Sequence, residues 1–277
     1  MNKILKKVIN GILSVLFLFI KSKSKRAAKY TFVSRLLFDK NNSLEYDPKL
    51  NGFWLKSKDE YLFIAKKPYY NFSKKNLYKS IKDIYCKNYF PKKDDVIVDI
   101  GAGIGTEVLF FHEQIGENGK IYSIEASTDS YTKLNALCSK NRITNSFNYN
   151  IAISNFNGKI WLEETENFEV NQINNTHKGI EINCFTLDQF VKDNGITKID
   201  LLKVNIEGAE LPMLNGMNEC INIVQNIAVS CHDFLFKEDK HIKTSIVKYL
   251  EKNNFQIIYN DTKNIVVDSW IYGKRIK

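Results

Sequence analysis

The chain has 277 residues, of which 44% are hydrophobic and 26% charged, with 13 glycines and four prolines. This composition is typical of a globular protein with a large core, and it excludes collagen-like and proline/glycine-rich disordered chains. The formal net charge is +9, yet residues 1–40 alone carry ten basic residues and one acid. The remainder is therefore neutral overall, and we expect no nucleic-acid partner.

An uncharged run, VINGILSVLFLFI (residues 8–20), lies near the N-terminus with lysines on both sides. It is shorter than the roughly 20 apolar residues of a spanning helix, and KSKSKR follows where a signal peptide would have small residues. We expect residues 1–30 to form a basic-flanked helix and residues 1–26 to contact anionic membrane headgroups. A helix packed on the body or on a partner stays an open alternative.

Five cysteines without a CxxC pair predict neither a disulfide framework nor a zinc site, and they favour a reducing compartment. We therefore expect a cytoplasmic protein. Contact of residues 8–20 with lipid would make it peripheral to, or anchored in, the inner face of the cell membrane.

Residues 31–92 predict an N-terminal cap made of a helix, an aromatic-rich hairpin (53–55 and 61–65) and a second helix (75–89). From residue 93 onward, strand-like and helix-like runs alternate. The predicted strands are 96–100, 120–125, 147–154, 199–205, 226–232, 255–259 and 265–272. This order predicts an α/β fold with a Rossmann-like, seven-stranded, mostly parallel sheet that ends in an antiparallel hairpin. The polar stretch 163–180 is predicted to be a surface loop.

A glycine-rich turn, DIGAGIG (99–105), follows the first of these strands and opens a helix. A dinucleotide site would have its third glycine at position 106, which is Thr106. Asp99 would repel a pyrophosphate but suits a cationic ligand. Glu125 ends the second strand, where an acid accepts hydrogen bonds from ribose hydroxyls. A ligand with a ribose, a positive centre and no phosphate fits this layout, as S-adenosylmethionine does.

Five segments together resemble the class I S-adenosylmethionine-dependent methyltransferases and, more narrowly, the FkbM-type family. They are DIGAGIG (99–105), EAS (125–127), AIS (152–154), TLD (186–188) and KVNIEGAE (203–210), within a match over about residues 96–235. The resemblance implies S-adenosylmethionine as cofactor and O-methylation of a sugar or other glycan-like acceptor. Asp99, Gly101, Ala102, Gly103, Gly105, Glu125, Ala126 and Ala152 would bind the cofactor. Gly103 replaces the family's asparagine, and Asn205 stands where aspartate is common.

Three residues at the carboxyl ends of later strands are candidates for catalysis, namely Asn205, Glu207 and His232. His232 is the best candidate base, because an imidazole accepts protons at neutral pH. Glu207 would either share that work or orient the histidine. Glu210 is interpreted as a first-turn residue that the helix dipole stabilises. We predict no metal, although Asn205, Glu207 and Asp233 leave a divalent-metal site open.

Two other functions are compatible with parts of this pattern. A nicotinamide-dependent oxidoreductase would share the fold, but Thr106 breaks the dinucleotide glycine spacing. A non-catalytic, membrane-tethered scaffold would keep the fold without turnover. The sequence favours an S-adenosylmethionine-dependent methyltransferase that acts on a hydroxyl group.

Overall fold

The computed structural model describes residues 8, 11, 12, 15, 19–37, 40–65, 74–163, 172–174, 179–233, 242–262 and 264–276. Its internal contacts divide the chain into two compact units, Met1–Tyr78 and Lys79–Lys277. The boundary falls inside helix α2 (Lys74–Tyr85), upstream of the boundary predicted at residues 92–93.

The first unit contains helix α1 (Lys23–Leu37) and three described strands, β1 (Asn42–Asp47), β2 (Gly52–Ser57) and β3 (Glu60–Ile64). The strands pair antiparallel in the order β1-β2-β3. The predicted hairpin is therefore present, and β1 is an additional strand that the sequence interpretation did not predict. Polar residues fit β1 because Asp47 accepts a hydrogen bond from the indole of buried Trp54 (2.9 Å), which pairs this strand to the core.

Within the described ranges, seven strands form the main sheet of the second unit. They are β4 (Val96–Ile100), β5 (Lys120–Ile124), β6 (Ser146–Tyr149), β11 (Leu201–Val204), β12 (Asn226–Ser230), β13 (Phe255–Tyr259) and β14 (Trp270–Arg275). Their order is β13-β14-β12-β11-β4-β5-β6, and β14 runs in the direction opposite to the other six described strands. The α/β class, the seven strands and the antiparallel C-terminal pair are confirmed.

Helices cover this sheet and bury its apolar strands. They are α3 (Thr106–Ile115), α4 (Thr128–Lys140), α5 (Leu187–Asp193), α6 (Glu210–Asn215), α7 (Ile242–Lys252) and α8 (Ile265–Asp268), with a 3₁₀ turn at Cys220–Ile223. Val98, Ile100, Leu202 and Val204 lie in the resulting core with almost no exposure. Burial of this kind explains why the central strands are continuous β-branched and leucine runs.

The third predicted strand, residues 147–154, is present as β6, but its predicted end was wrong, because the chain leaves the main sheet after Tyr149. The Asn150 amide donates to the backbone carbonyls of Glu125 and Ala126 (3.0 and 2.9 Å). These hydrogen bonds fix the chain at Asn150 so that it does not continue β6.

Residues beyond that point contribute to a second sheet. In the part of the chain that the structure describes, its strands are β7 (Ala152–Ile153), β8 (Gly158–Glu163), β9 (Gln172–Asn174) and β10 (Ile180–Phe185), in the order β7-β10-β8-β9. The predicted loop 163–180 thus contains strand β9. Residues 164–171 and 175–178 lie outside the described residues.

The last predicted strand, residues 265–272, is in fact a short helix followed by a strand. Asn264 caps helix α8 by accepting a hydrogen bond from the Val266 N–H (3.1 Å), and Ile265 and Val266 are exposed. An apolar, β-branched run was misread because the capping asparagine before it outweighed β-propensity.

Most of the predicted N-terminal apolar run, residues 8–20, lies outside the described residues. None of the helices in the described ranges has the length and hydropathy needed to cross a bilayer.

Candidate active site

An open cleft lies at the carboxyl ends of β4, β5 and β11, where ligands bind in doubly wound sheets. It encloses about 810 Å³ of empty space, part of it open to solvent. Its described walls are largely apolar, with isoleucines from β4, β5 and the chain before β7, and with the side chains of Glu125 and Glu207. Apolar walls with a few polar groups are typical of small-molecule sites.

The glycine turn after β4 leaves no room for a side chain at two of its glycines, because backbone crowds one and a leucine side chain crowds the other. A Cβ at Gly101 (φ +76°) would lie 1.9 Å from the carbonyl oxygen of Asn205, and one at Gly105 (φ +84°) would lie 2.5 Å from Leu134. Gly103 (φ +56°) differs, because a Cβ there meets nothing within 4 Å and the residue lines the cleft. Asparagine tolerates this left-handed conformation as well, so the departure from the family pattern at Gly103 is compatible with the same turn.

Glu125 joins the glycine turn to the start of α4. One of its carboxylate oxygens accepts from the Gly103 N–H (2.7 Å) and the other from the Ser127 N–H (2.8 Å). Burial raises the pKa of Glu125, while these two N–H donors lower it in part. Each carboxylate oxygen has a further lone pair, so Glu125 can also accept from ligand hydroxyls in the cleft.

Asp99 is fully buried beneath the turn and is not among the described cleft walls. Its Oδ1 lies 2.8 Å from the ammonium of Lys203, which also donates to the Gly101 carbonyl (2.7 Å). Burial alone would lower the pKa of Lys203, but the carboxylates of Asp99 and Glu107 outweigh it and raise the pKa. The ion pair therefore ties β4, β11 and the glycine turn together.

A histidine between two carboxylates lies beside the cleft. Nδ1 of His232 is 2.5 Å from Oε1 of Glu210, and Nε2 is 3.5 Å from Oε2 of Glu207. Ser230 Oγ is 3.4 Å from the same Nε2. Burial alone would lower the pKa of His232, but Glu210, Glu207 and Asp233 outweigh it and raise the pKa.

The structure brings most of the predicted residues to this cleft. Gly101, Gly103, Glu125, Ala126, Ala152, Asn205 and Glu207 line it, whereas Asp99, Ala102, Gly105 and His232 lie behind its described walls. The sequence interpretation missed Lys203 and the histidine contact of Glu210. A lysine inside the apolar strand LLKV was the signal for the first, because a buried cation requires a partner. No sequence signal separated Glu210 from an ordinary first-turn acid.

A doubly wound sheet of this strand order, with a glycine turn after its first strand, is the fold of the class I methyltransferases. Residues 99–257, more than half of the chain, match the family model described as "Methyltransferase FkbM domain". The chain belongs to the FkbM methyltransferase family, and its cofactor is S-adenosylmethionine.

Individual proteins resemble the chain at sequence identities of 12–26%. A hexuronic acid methyltransferase, AglP of Haloferax volcanii, is 26% identical over 148 residues, which are 51% of this chain and 57% of that relative. The solved FkbM methyltransferase of Methylobacillus flagellatus is 14% identical, with a TM-score of 0.49 over 71% of this chain and 50% of its own. Aeropyrum pernix fibrillarin, solved with natively bound S-adenosyl-L-methionine, is 12% identical, with a TM-score of 0.47 over 84% of this chain and 94% of its own.

The cleft residues fit S-adenosylmethionine in two respects. The space above Gly103 is what a side chain would fill, so a ligand can approach the turn backbone. Glu125, with small Ala126 and Ala152 beside it, supplies an acceptor next to an apolar wall. When bound, the cofactor supplies an electrophilic methyl group on a positively charged sulfur. The chain's own task is then to orient the acceptor toward that methyl group.

Proposed function

We propose that the protein transfers the methyl group of S-adenosylmethionine to a hydroxyl group of a sugar or glycan-like acceptor. The observation that carries this proposal is the Glu207–His232 pair at the cleft, with 3.5 Å between Oε2 and Nε2. A hydroxyl is a weak nucleophile until a base removes its proton, and a carboxylate–imidazole pair is suited to that work.

The sugar acceptor is supported by the relative whose name assigns it a hexuronic acid as substrate. A sugar offers both hydroxyl and, in a uronic acid, carboxylate oxygens. A carboxylate is already deprotonated near pH 7 and needs no base, so a base at the cleft favours the hydroxyl.

For the cofactor, we propose contacts from the cleft-lining members of the predicted set, with Glu125 accepting from the ribose hydroxyls. Ala102, Gly105 and Asp99 would act indirectly, by holding the turn. Asn205 lines the cleft beside Gly101 and would orient the acceptor or the cofactor through its amide.

The test is methyl transfer from isotope-labelled S-adenosylmethionine to a panel of neutral hexoses, hexuronic acids and their nucleotide-linked forms, read by mass spectrometry. A methyl ether survives mild alkali, whereas a methyl ester is hydrolysed. We expect alkali-stable label on neutral sugars, with turnover reduced in His232→Ala at unchanged cofactor affinity. Label that alkali removes, found on uronic acids alone, would contradict transfer to a hydroxyl.

We also propose that residues 1–26 contact a membrane surface on the cytoplasmic side. In support, the apolar side chains of Val15 and Phe19 are exposed (56% and 80%), and the basic side chains of Lys21, Lys23 and Lys25 that follow are exposed as well. Apolar and basic side chains together suit anionic lipid. Full-length protein should sediment with phosphatidylglycerol vesicles, and protein lacking residues 1–26 should not. Equal sedimentation of both would contradict the contact.

A further inference from the structure

Glu207 and His232 have different access to the cleft, although both were candidates for the base. The side chain of Glu207 is 24% exposed and lines the cleft, whereas that of His232 is 5% exposed and lies behind the described walls. A group that accepts a proton must reach the hydroxyl that loses it. Access therefore favours Glu207 as the group in contact with the acceptor.

The backbone at Glu207 has an unusual conformation that fits this role. Glu207 has φ +52° and is followed by Gly208 at φ +99°. A non-glycine residue in the left-handed region costs about 1 kcal/mol or more, and such residues persist where surrounding contacts hold them. One of these contacts is the Ile206 N–H, which donates to Oε1 of Glu210 (3.2 Å).

Glu210 thus holds two things at once, the turn that carries Glu207 and the ring of His232. Its Oε1 accepts from both the Ile206 N–H and Nδ1 of the histidine. With Nδ1 committed to Glu210, only Nε2 can face Glu207. The chain Glu210–His232–Glu207 runs from the buried interior to the cleft wall.

The charged groups around His232 favour its protonated form. Glu207 and Glu210 face its two nitrogens, and Asp233 follows it in the chain. On helix α7, the ammonium of Lys243 donates to the Asp268 carbonyl (2.7 Å). Burial raises the pKa of the neighbouring Cys231 thiol, so that it stays neutral.

We propose that Glu207 is the catalytic base, and that His232 and Glu210 are positioning residues that hold its carboxylate toward the acceptor. This proposal rests on the proposed transfer to a hydroxyl. The hydroxyl proton passes to the Glu207 carboxylate. The oxygen–carbon bond forms as the carbon–sulfur bond breaks, and that electron pair stays on sulfur. Glu207, being part-exposed, then releases the proton to water.

The experiment combines a pH–rate profile with NMR titration of His232 in ¹⁵N-histidine-labelled protein. The chain has four histidines, so the spectrum of His232→Gln identifies the resonance. A positioning imidazolium must stay protonated, so we expect the rate to fall as pH rises through the His232 titration. An imidazole base would require the opposite, a rate that rises through the same titration.

The variants separate the roles further. Glu207→Gln should lose about 100-fold or more in kcat at every pH, whereas His232→Gln should keep measurable activity without the alkaline fall. Glu210→Gln should move both the NMR midpoint and the alkaline fall to lower pH. Glu181→Gln, an exposed acid-to-amide control on β10, should change neither. Retained cofactor affinity by calorimetry would show that the variants fold.

Two outcomes would overturn the proposal. One is a wild-type rate that rises through the His232 titration. The other is a His232 midpoint below its ordinary value near 6.5. The NMR measurement needs no acceptor, so a failure to methylate any hydroxyl would refute the proposed function and leave the arrangement of the three residues separately tested.

Discussion

Replacing Lys203 by methionine tests whether the buried ion pair holds the glycine turn. The ammonium lies 2.8 Å from Asp99 Oδ1 and 2.7 Å from the Gly101 carbonyl, with both side chains buried. Methionine keeps most of the volume but leaves Asp99 as an uncompensated buried charge. Removing one partner of such a pair costs about 3–5 kcal/mol of unfolding free energy, a large part of the total stability of an ordinary domain.

Urea unfolding followed by circular dichroism measures this loss. The double variant Asp99→Asn/Lys203→Met removes both charges and should be more stable than Lys203→Met alone, because the pair is coupled. Lys159→Met is the matched control, since Lys159 pairs with Glu181 in the open and should cost less than about 1 kcal/mol. A Lys203→Met protein as stable as the control would refute the reasoning.

Further predictions concern the glycine turn and a loop anchor. Gly101→Ala should destabilise by about 3 kcal/mol or more, because its Cβ meets the Asn205 carbonyl in a left-handed conformation; Gly103→Asn, in the open, should be close to neutral in the same urea assay. The Asp188 carboxylate accepts hydrogen bonds from the backbone N–H groups of Asn218, Glu219 and Cys220. Burial alone would raise the pKa of Asp188, but these donors outweigh burial and lower the pKa. The stabilisation is present above the unfolded-state pKa of about 4 and is lost as pH falls through the lower pKa of the folded state. The free energies of unfolding of Asp188→Asn and wild type should therefore converge in acid. A difference that stays constant with pH would contradict this.

Much of the fold was readable in the sequence because its strands are buried on both faces. Residues 96–100 were predicted with the bounds that the structure gives, since a continuous apolar run leaves little choice. The bounds of the edge strand 255–259 were also predicted correctly, although only Phe255 in it is fully buried. The errors fell where a polar side chain redirects the backbone. Asn150 ends β6 early, and Asn264 starts a helix within an apolar run. The Asn150 contacts join residues that are distant in sequence, which periodicity does not show. The Asn264 cap is local, and its signal in the sequence was overlooked.

At the site, position along the chain predicted which strand ends meet but not which side chains reach the cleft. Asp99 and Glu125 are both acids at strand ends, yet Asp99 points beneath the sheet edge to Lys203 and Glu125 faces the cleft. Likewise, both His232 and Glu207 follow strand ends, but only Glu207 lines the cleft. Glu210 was taken for a first-turn acid because its partner, His232, is 22 residues away in sequence.

Calorimetric titration with S-adenosylhomocysteine tests the central claim, that the cleft beside the glycine turn holds an adenosyl cofactor through Glu125. Wild-type protein should bind saturably, and NAD should give no heat. Glu125→Ala should weaken binding by about 1–3 kcal/mol, roughly 5- to 150-fold, because the ribose hydroxyls of the bound ligand lose the carboxylate that accepts their hydrogen bonds. Binding of NAD without S-adenosylhomocysteine, or equal affinity in the variant, would contradict the account.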